Sequence, residues 1–285
     1  MAIPILHFWQ KYFYNHDEGL GSTYERFIIN EILYKAVNTY RIKSIIETPS
    51  FGFTGLSGIN SLGLAAKNLE ITVTDSEPER LKLIKDIWAK TNYKANFDLV
   101  RDYSLLPYGD SAFDMAWNFS ALWFVPELDI FLKELSRISR KIILIMIPNR
   151  SGLGYLFQKY TGRNDLKIYL KEDNLKPKYF INELKKHGWT LMHDSLIDCP
   201  LWPDIGMSKG ELMRRLGLSF LSPSRAQKAP SLTILDYYDG SNPSLKDDML
   251  KYNLFENKAP LIFKKFWAHH HYFLFLKKNN YEKFN

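Results

Sequence analysis

Three carboxylates close apolar runs early in the chain, and a turn follows each. Glu47 ends "SIIE" and leads into a loop that carries Gly52, Gly55 and Gly58; Asp75 ends "EITVTD"; Asp102 follows "FDLVR". A strand that ends on an acid, then a glycine-bearing loop, then a helix is how α/β proteins build a nucleotide pocket. An acid after the second strand of such a unit can accept from both ribose hydroxyls at once, a trait shared by nicotinamide and adenosylmethionine enzymes. The two acids and the loop therefore predict a nucleotide without choosing it.

The elements that must position these acids alternate from residue 44 onward. Apolar runs at 44–47, 70–74, 97–100, 113–118 and 141–147 predict strands, and helical patterns lie between them at 56–67, from Glu77 and from Pro126. The alternation predicts a mostly parallel sheet flanked by helices. "KPKYFINELKKHG" reads as a helix closed by Gly188, "WTLMHDSLID" as a strand, and the terminal "FWAHHHYFLFLKK" as another. Residues 1–43 add two helical patterns, the second with Ser22 or Thr23 as its cap. The chain thus divides into an N-terminal helical cap at 1–43, a core at 44–198, an insertion at 199–265 and a terminal strand at 266–285.

Composition narrows the class. Hydrophobic residues at 46% and charged residues at 24% are ordinary for a globular chain, and disorder is not the expectation. The lone Cys199 rules out an intramolecular disulfide framework and points to a reducing setting. No secretory leader and no spanning apolar run is visible, so the sequence predicts a cytoplasmic protein without a transmembrane segment. The net charge is +7, and residues 199–285 supply +5 of it, with 13 Lys and Arg against 8 Asp and Glu. A positive field there favours an anionic acceptor, a nucleic acid or an acidic surface.

The segment "VRDYSLLPYGDSAFDMAWNFSALWFVPELDIFLKELSRI" separates the two nucleotide classes. With Asp102 ahead of Leu106, Pro107 and Tyr108, and with Asp110, Phe113 and Asp114 following, it resembles the core of class I S-adenosylmethionine-dependent methyltransferases. The resemblance implies a Rossmann-like, mostly parallel seven-stranded sheet with helices on both faces and an antiparallel last strand. It also implies S-adenosyl-L-methionine as cofactor. Glu47 resembles the acid that opens the glycine motif, Asp75 the ribose-binding acid and Asp102 the adenine-binding acid. Gly52, Gly55, Tyr103 and Asn118 belong to the same expected cofactor set, and Tyr24 and Arg26 are placed to fold over it. The departure is at the opening stretch, where Thr48, Pro49, Ser50 and Phe51 precede the first glycine. A rebuilt cofactor loop and a pocket that has lost its cofactor both follow from that departure; intact Asp75 and Asp102 favour the first.

On the acceptor side the resemblance places the end of the fourth strand, where Trp123 and Phe124 suggest an aromatic pocket, with Trp202 from the insertion. His193, Asp198 and Asp204 are the candidate bases. His269 to His271 do not imply a metal: on a strand only His269 and His271 would share a face. The sequence predicts transfer to a small-molecule or lipid-like acceptor, chosen by the insertion. A nucleic-acid or protein methyltransferase is the alternative, supported by a pI near 9.1, and a non-catalytic binding protein on a degenerate fold is the third.

Overall fold

The computed structural model describes residues 5–52, 55–161, 170–201 and 232–278. Trp202, Asp204 and the basic pattern "KGELMRRLGLSF" lie outside the described residues. Two helices, α1 (Ile5–Asn15) and α2 (Gly19–Tyr40), precede β1 (Ser44–Glu47), α3 (Leu62–Ala65), β2 (Glu70–Asp75), α4 (Pro78–Ala89) and β3 (Asn96–Leu99). Then come β4 (Phe113–Phe119), α5 (Leu128–Ile138), β5 (Ser139–Pro148), α6 (Leu153–Thr161), α7 (Pro177–Lys186) and β6 (Trp189–Ile197). Four short helices, α8 (Leu235–Tyr238), α9 (Leu245–Leu250), α10 (Leu254–Lys258) and α11 (Leu261–Trp267), lead to β7 (His270–Lys277).

The seven strands form one sheet in the order β3-β2-β1-β4-β5-β7-β6. All neighbours are parallel except β7, which runs antiparallel between β5 and β6. This is the Rossmann-like arrangement that the sequence predicts, with helices around it. The central strands are buried on both faces, as a parallel sheet requires, and read as continuous apolar runs: every residue of β5 from Ile142 to Ile147 is buried. Asp114 fixes the start of the sheet. Its carboxylate accepts from the Lys43 N–H at 2.8 Å and pairs with Arg140 at 2.7 Å and Lys141 at 3.3 Å, tying the entries of β1, β4 and β5 together.

Three boundaries differ from the sequence reading. The helix expected over 56–67 is only α3, because Gly58 sits at φ +72, which stops a right-handed helix, and because the Glu47 carboxylate takes the Ser61 N–H at 3.1 Å. α2 begins at Gly19, so Thr23 is inside it, its hydroxyl donating to the Gly19 carbonyl at 2.8 Å instead of capping. The last strand starts at His270; Phe266 and Trp267 belong to α11.

Residues 232–250, part of the expected insertion, pack onto α2. Phe27 meets the Tyr237 ring at 5.3 Å, Asn30 donates to the Tyr238 hydroxyl at 2.7 Å, and the Glu18 N–H donates to the Leu232 carbonyl at 2.9 Å. α2 is therefore covered on more than one side, and Thr23 through Asn30 are all buried.

Candidate functional site

The direction of chain crossover reverses between β1 and β4, and the crevice outside the C-terminal ends of such strands is where open α/β sheets bind ligands. Glu47, Asp75 and Asn118 stand there, at the ends of β1, β2 and β4. The loop that follows β1 lies over them. Glu47 holds it from below: its carboxylate accepts from the Ser61 hydroxyl at 2.7 Å and the Asn60 amide at 3.2 Å, and Trp117 adds a bond to the same Ser61 hydroxyl at 3.0 Å. Burial raises the Glu47 carboxyl to about 7, against the pull of these donors and of Arg26. Gly52 sets the loop's closest approach, since a Cβ there would lie 2.5 Å from the carbonyl oxygens of Phe119 and Ser120.

Asp75 is fully buried and fully engaged. Arg80 donates Nε to Oδ2 at 2.7 Å and Nη2 to Oδ1 at 2.5 Å, the Glu77 N–H adds a bond at 2.8 Å, and the Ser50 hydroxyl lies at 3.4 Å. The guanidinium lies over the Phe51 ring at 3.8 Å and near Trp9 at 5.2 Å. Phe51 in turn meets Phe124 at 5.0 Å. Sequence reasoning missed Arg80. Its signal was a basic residue in a helix's first turn, where the helix dipole disfavours a cation.

Asp102 is exposed, in a turn where it accepts from the Ser104 N–H at 2.8 Å; bonds to Ser104 hold its carboxyl below the usual range. Tyr103 packs edge-on against Phe131, and burial raises its phenol. Asn118 donates to the Thr48 carbonyl at 3.4 Å, while its Oδ1 and the neighbouring Ser120 hydroxyl are buried with no hydrogen-bond partner. Trp123 is buried and Phe124 half-buried, together at 5.9 Å.

Arg26 and Tyr24 sit in the interior of α2. Arg26 pairs with Glu18 and Asn60 and donates to the Leu56 carbonyl at 2.5 Å, so it ties the loop to α2. Gly55 precedes that anchor point. Tyr24 is fully buried.

The candidate bases separate. His193 is exposed at mid-strand in β6, opposite Leu274, roughly 17 Å along the chain from Asp198 at ~3.3 Å per residue. Asp198 is at the C-terminal edge, buried with two histidines. Its Oδ2 lies 2.8 Å from His269 Nδ1 and 3.5 Å from His270 Nδ1, and the latter nitrogen is 2.5 Å from Glu25 Oε1. Burial opposes the charge of Asp198, yet His269 and His270 hold its carboxyl below the usual range. Burial raises the Glu25 carboxyl against the pull of His270, while Glu25 and Asp198 push the His270 imidazole up to about 9 despite its burial. The sequence pairs His269 with His271 on one face. The structure pairs His269 with His270 on Asp198 instead, because His269 precedes the strand and strand alternation does not govern it; His271 joins Asp194. Cys199 is buried, and burial raises its thiol to about 12.

A cleft of about 510 Å³ opens at the C-terminal end of β5, walled by Ile147, Pro148 and Leu156 and carrying Arg150, Lys159 and His271. Phe119 pairs with Met146, so the cleft starts one strand over from the end of β4. Arg150 Nε is buried there without a partner, and Lys159 pairs with Glu172 at 2.8 Å.

Sheet order, the antiparallel β7 and the acids at the switch point together define the class I methyltransferase architecture. Residues 53–143 match the family model described as a methyltransferase domain. No curated protein matches the sequence. Among solved structures, the chain is similar to a candidate sarcosine dimethylglycine methyltransferase from Galdieria sulphuraria, with a TM-score of 0.52, 12% identity and coverage of 88% of this chain and 85% of that one. It is also similar to the YcgJ protein from Bacillus subtilis, with a TM-score of 0.50, 9% identity and coverage of 88% and 98%. The match makes residues 53–143 a methyltransferase domain, and the cofactor that such a domain implies is S-adenosylmethionine.

The residues present fit that group. Asn118 Oδ1 and the Ser120 hydroxyl are buried and unpaired at the end of β4, and Asp102 is an open acceptor beyond β3. Asp75 is the crowded member: its oxygens already accept from Arg80, the Glu77 N–H and the Ser50 hydroxyl, so a further donor competes with these. Among the described residues no helix is long and apolar enough to cross a membrane.

Proposed function

We propose that this protein transfers the S-adenosylmethionine methyl group to a small-molecule or lipid-like acceptor with an apolar body and an anionic part. The cleft at the end of β5 carries the reading: its volume suits one small ligand, its lining sets apolar Ile147, Pro148 and Leu156 beside polar side chains, and Arg150 offers a buried Nε with no internal partner. In this reading Asp75 takes the ribose hydroxyls and Asp102 the adenine amino group. Glu47, Gly52 and Gly55 form the floor beneath the amino-acid tail, with Asn118 and Tyr103 beside it. The cofactor supplies the electrophilic methyl group. What the chain supplies is alignment and exclusion of water, worth up to roughly 7–11 kcal/mol of barrier in well-oriented systems. Trp123, Phe124 and Phe51 close the site on the β4 side, and Arg150 with Lys159 anchors the anionic end of the acceptor.

The test is transfer of radiolabelled methyl to matched panels of small carboxylates and phosphorylated lipids, bulk tRNA, duplex DNA and histones. Label is expected on a member of the first panel, with Arg150→Leu raising KM at least tenfold and leaving cofactor affinity unchanged. Label on nucleic acid or protein alone would replace this reading with the macromolecular one.

A further inference from the structure

We propose that Glu25, Asp198 and His270 form a binding site for one divalent transition-metal ion, with His269 orienting Asp198 from outside. The residues come from α2, the turn after β6 and the first position of β7, so tertiary packing alone assembles them. Their three donor atoms lie within 4.8 Å of one another, and all three residues are buried. Metal–ligand bonds of about 2.0–2.2 Å put tetrahedral ligand atoms roughly 3.4 Å apart. His270 Nδ1 and Asp198 Oδ2 already stand at 3.5 Å, and the 2.5 Å gap to Glu25 Oε1 needs to widen by only about 1 Å to meet that spacing.

The orientation of these atoms is an independent observation. His270 Nδ1 and Glu25 Oε1 are in contact, yet neither has a hydrogen-bond partner of acceptable angle, and Asp198 Oδ1 is buried with none at all. One oxygen of Asp198 therefore faces the cluster with no donor. A buried carboxylate oxygen without a donor is costly, and a cation is one remedy. The bond of His269 to Asp198 at 2.8 Å is the kind of outer contact that fixes a metal ligand's direction. Two carboxylates with an imidazole favour Mn, Fe, Co or Zn over Mg and Ca, which prefer oxygen alone. His270 leans on the Phe119 ring at 4.5 Å, which sets the site beside the end of β4.

The full-length protein, stripped with EDTA and desalted, is incubated with Co²⁺, Zn²⁺ and Mn²⁺ in turn. One equivalent should remain bound after desalting, and bound Co²⁺ should show visible d–d bands. Glu25→Gln and Asp198→Asn should each weaken binding at least 100-fold with cooperative melting retained, and His269→Gln about 10–100-fold. Asp194→Asn should change nothing, which separates this site from the half-exposed His271–Asp194 pair. Should the variants fail to fold, pulsed EPR of the Mn²⁺-loaded wild type decides, with coupling to one imidazole nitrogen expected. No uptake by the wild type, uptake unchanged in Glu25→Gln and Asp198→Asn, loss in Asp194→Asn, or Mn²⁺ without nitrogen coupling would each overturn the site. None of these readouts depends on the acceptor.

Discussion

Replacing Arg80 by Met should destabilise the free protein and tighten its cofactor binding. Arg80 makes two side-chain bonds to Asp75, at 2.7 and 2.5 Å, with the carboxylate fully buried and the Arg80 side chain 7% exposed. Removing one partner of a buried pair typically costs about 3–5 kcal/mol, because the other charge is left behind. At about 2–4 °C per kcal/mol for a chain near this size, the melting temperature should fall by roughly 6–20 °C. The Glu77 N–H still bonds Asp75 in the variant, which favours the lower end.

Cofactor affinity should move the other way. On the ribose-binding role proposed for Asp75, the hydroxyls compete with a charged donor in the wild type and meet a carboxylate with fewer donors in the variant. If only about 1.4 kcal/mol of the lost pairing appears in binding, affinity rises tenfold. Calorimetry with S-adenosylmethionine and S-adenosylhomocysteine gives the affinity, and thermal melts with and without ligand give the stability. Arg80→Lys should lie between the two. A folded Arg80→Met protein that binds cofactor tenfold more weakly would refute competition, making Arg80 a residue that positions Asp75 for the ligand.

Asp102→Ala should weaken cofactor binding by about 1.5–3 kcal/mol, the worth of a charged hydrogen bond, while shifting the melting temperature little because the carboxylate is exposed; calorimetry and melting check the two halves. Glu47 has a carboxyl raised to about 7 by burial, so its contribution to stability is full below about 4.5 and declines as pH rises through 7. Relative to Glu47→Gln, the wild type should lose up to about 3 kcal/mol across that window in urea melts, and parallel pH profiles would contradict the raised carboxyl. Truncation after His269 removes the buried Phe273, Leu274, Phe275 and Leu276, each worth about 1.5–3 kcal/mol, against a total stability of about 5–15 kcal/mol. Insoluble or molten protein is expected by near-UV circular dichroism, and a cooperative melt would show β7 to be dispensable.

The strands were legible because a parallel sheet buried on both faces leaves largely apolar runs, and 44–47, 70–74 and 113–118, read from residue type alone, end within a residue of β1, β2 and β4. Helix ends were less so. At α3, local pattern favours a longer helix, and a carboxylate 14 residues earlier in sequence overrides it by holding Ser61. At α11, "LIFKKFW" carries the same residue types as a strand, and Pro260 ahead of it starts a helix instead. The cluster of Glu25, Asp198, His269 and His270 was illegible for a different reason. Its members lie up to 245 positions apart in the chain (270 − 25 = 245), and only β7, inserted between β5 and β6, brings them together.

The altered loop after β1 and the Asp75–Arg80 pair are two halves of one arrangement. Alternating glycines would leave a trough beside the strand ends; here Phe51 fills part of that space and gives Arg80 an aromatic face at 3.8 Å to lie on. The stack holds the guanidinium flat, which is the orientation that a two-pronged bond to Asp75 requires. Without Phe51 the arginine would lose that support, and without Arg80 the buried carboxylate would lose its counter-charge. Gly52 must remain a glycine in this design, because it is the point at which the loop touches the Phe119 and Ser120 carbonyls. The missing glycines and the unexpected arginine therefore meet at one place, the Phe51–Arg80–Asp75 stack that covers the carboxylate.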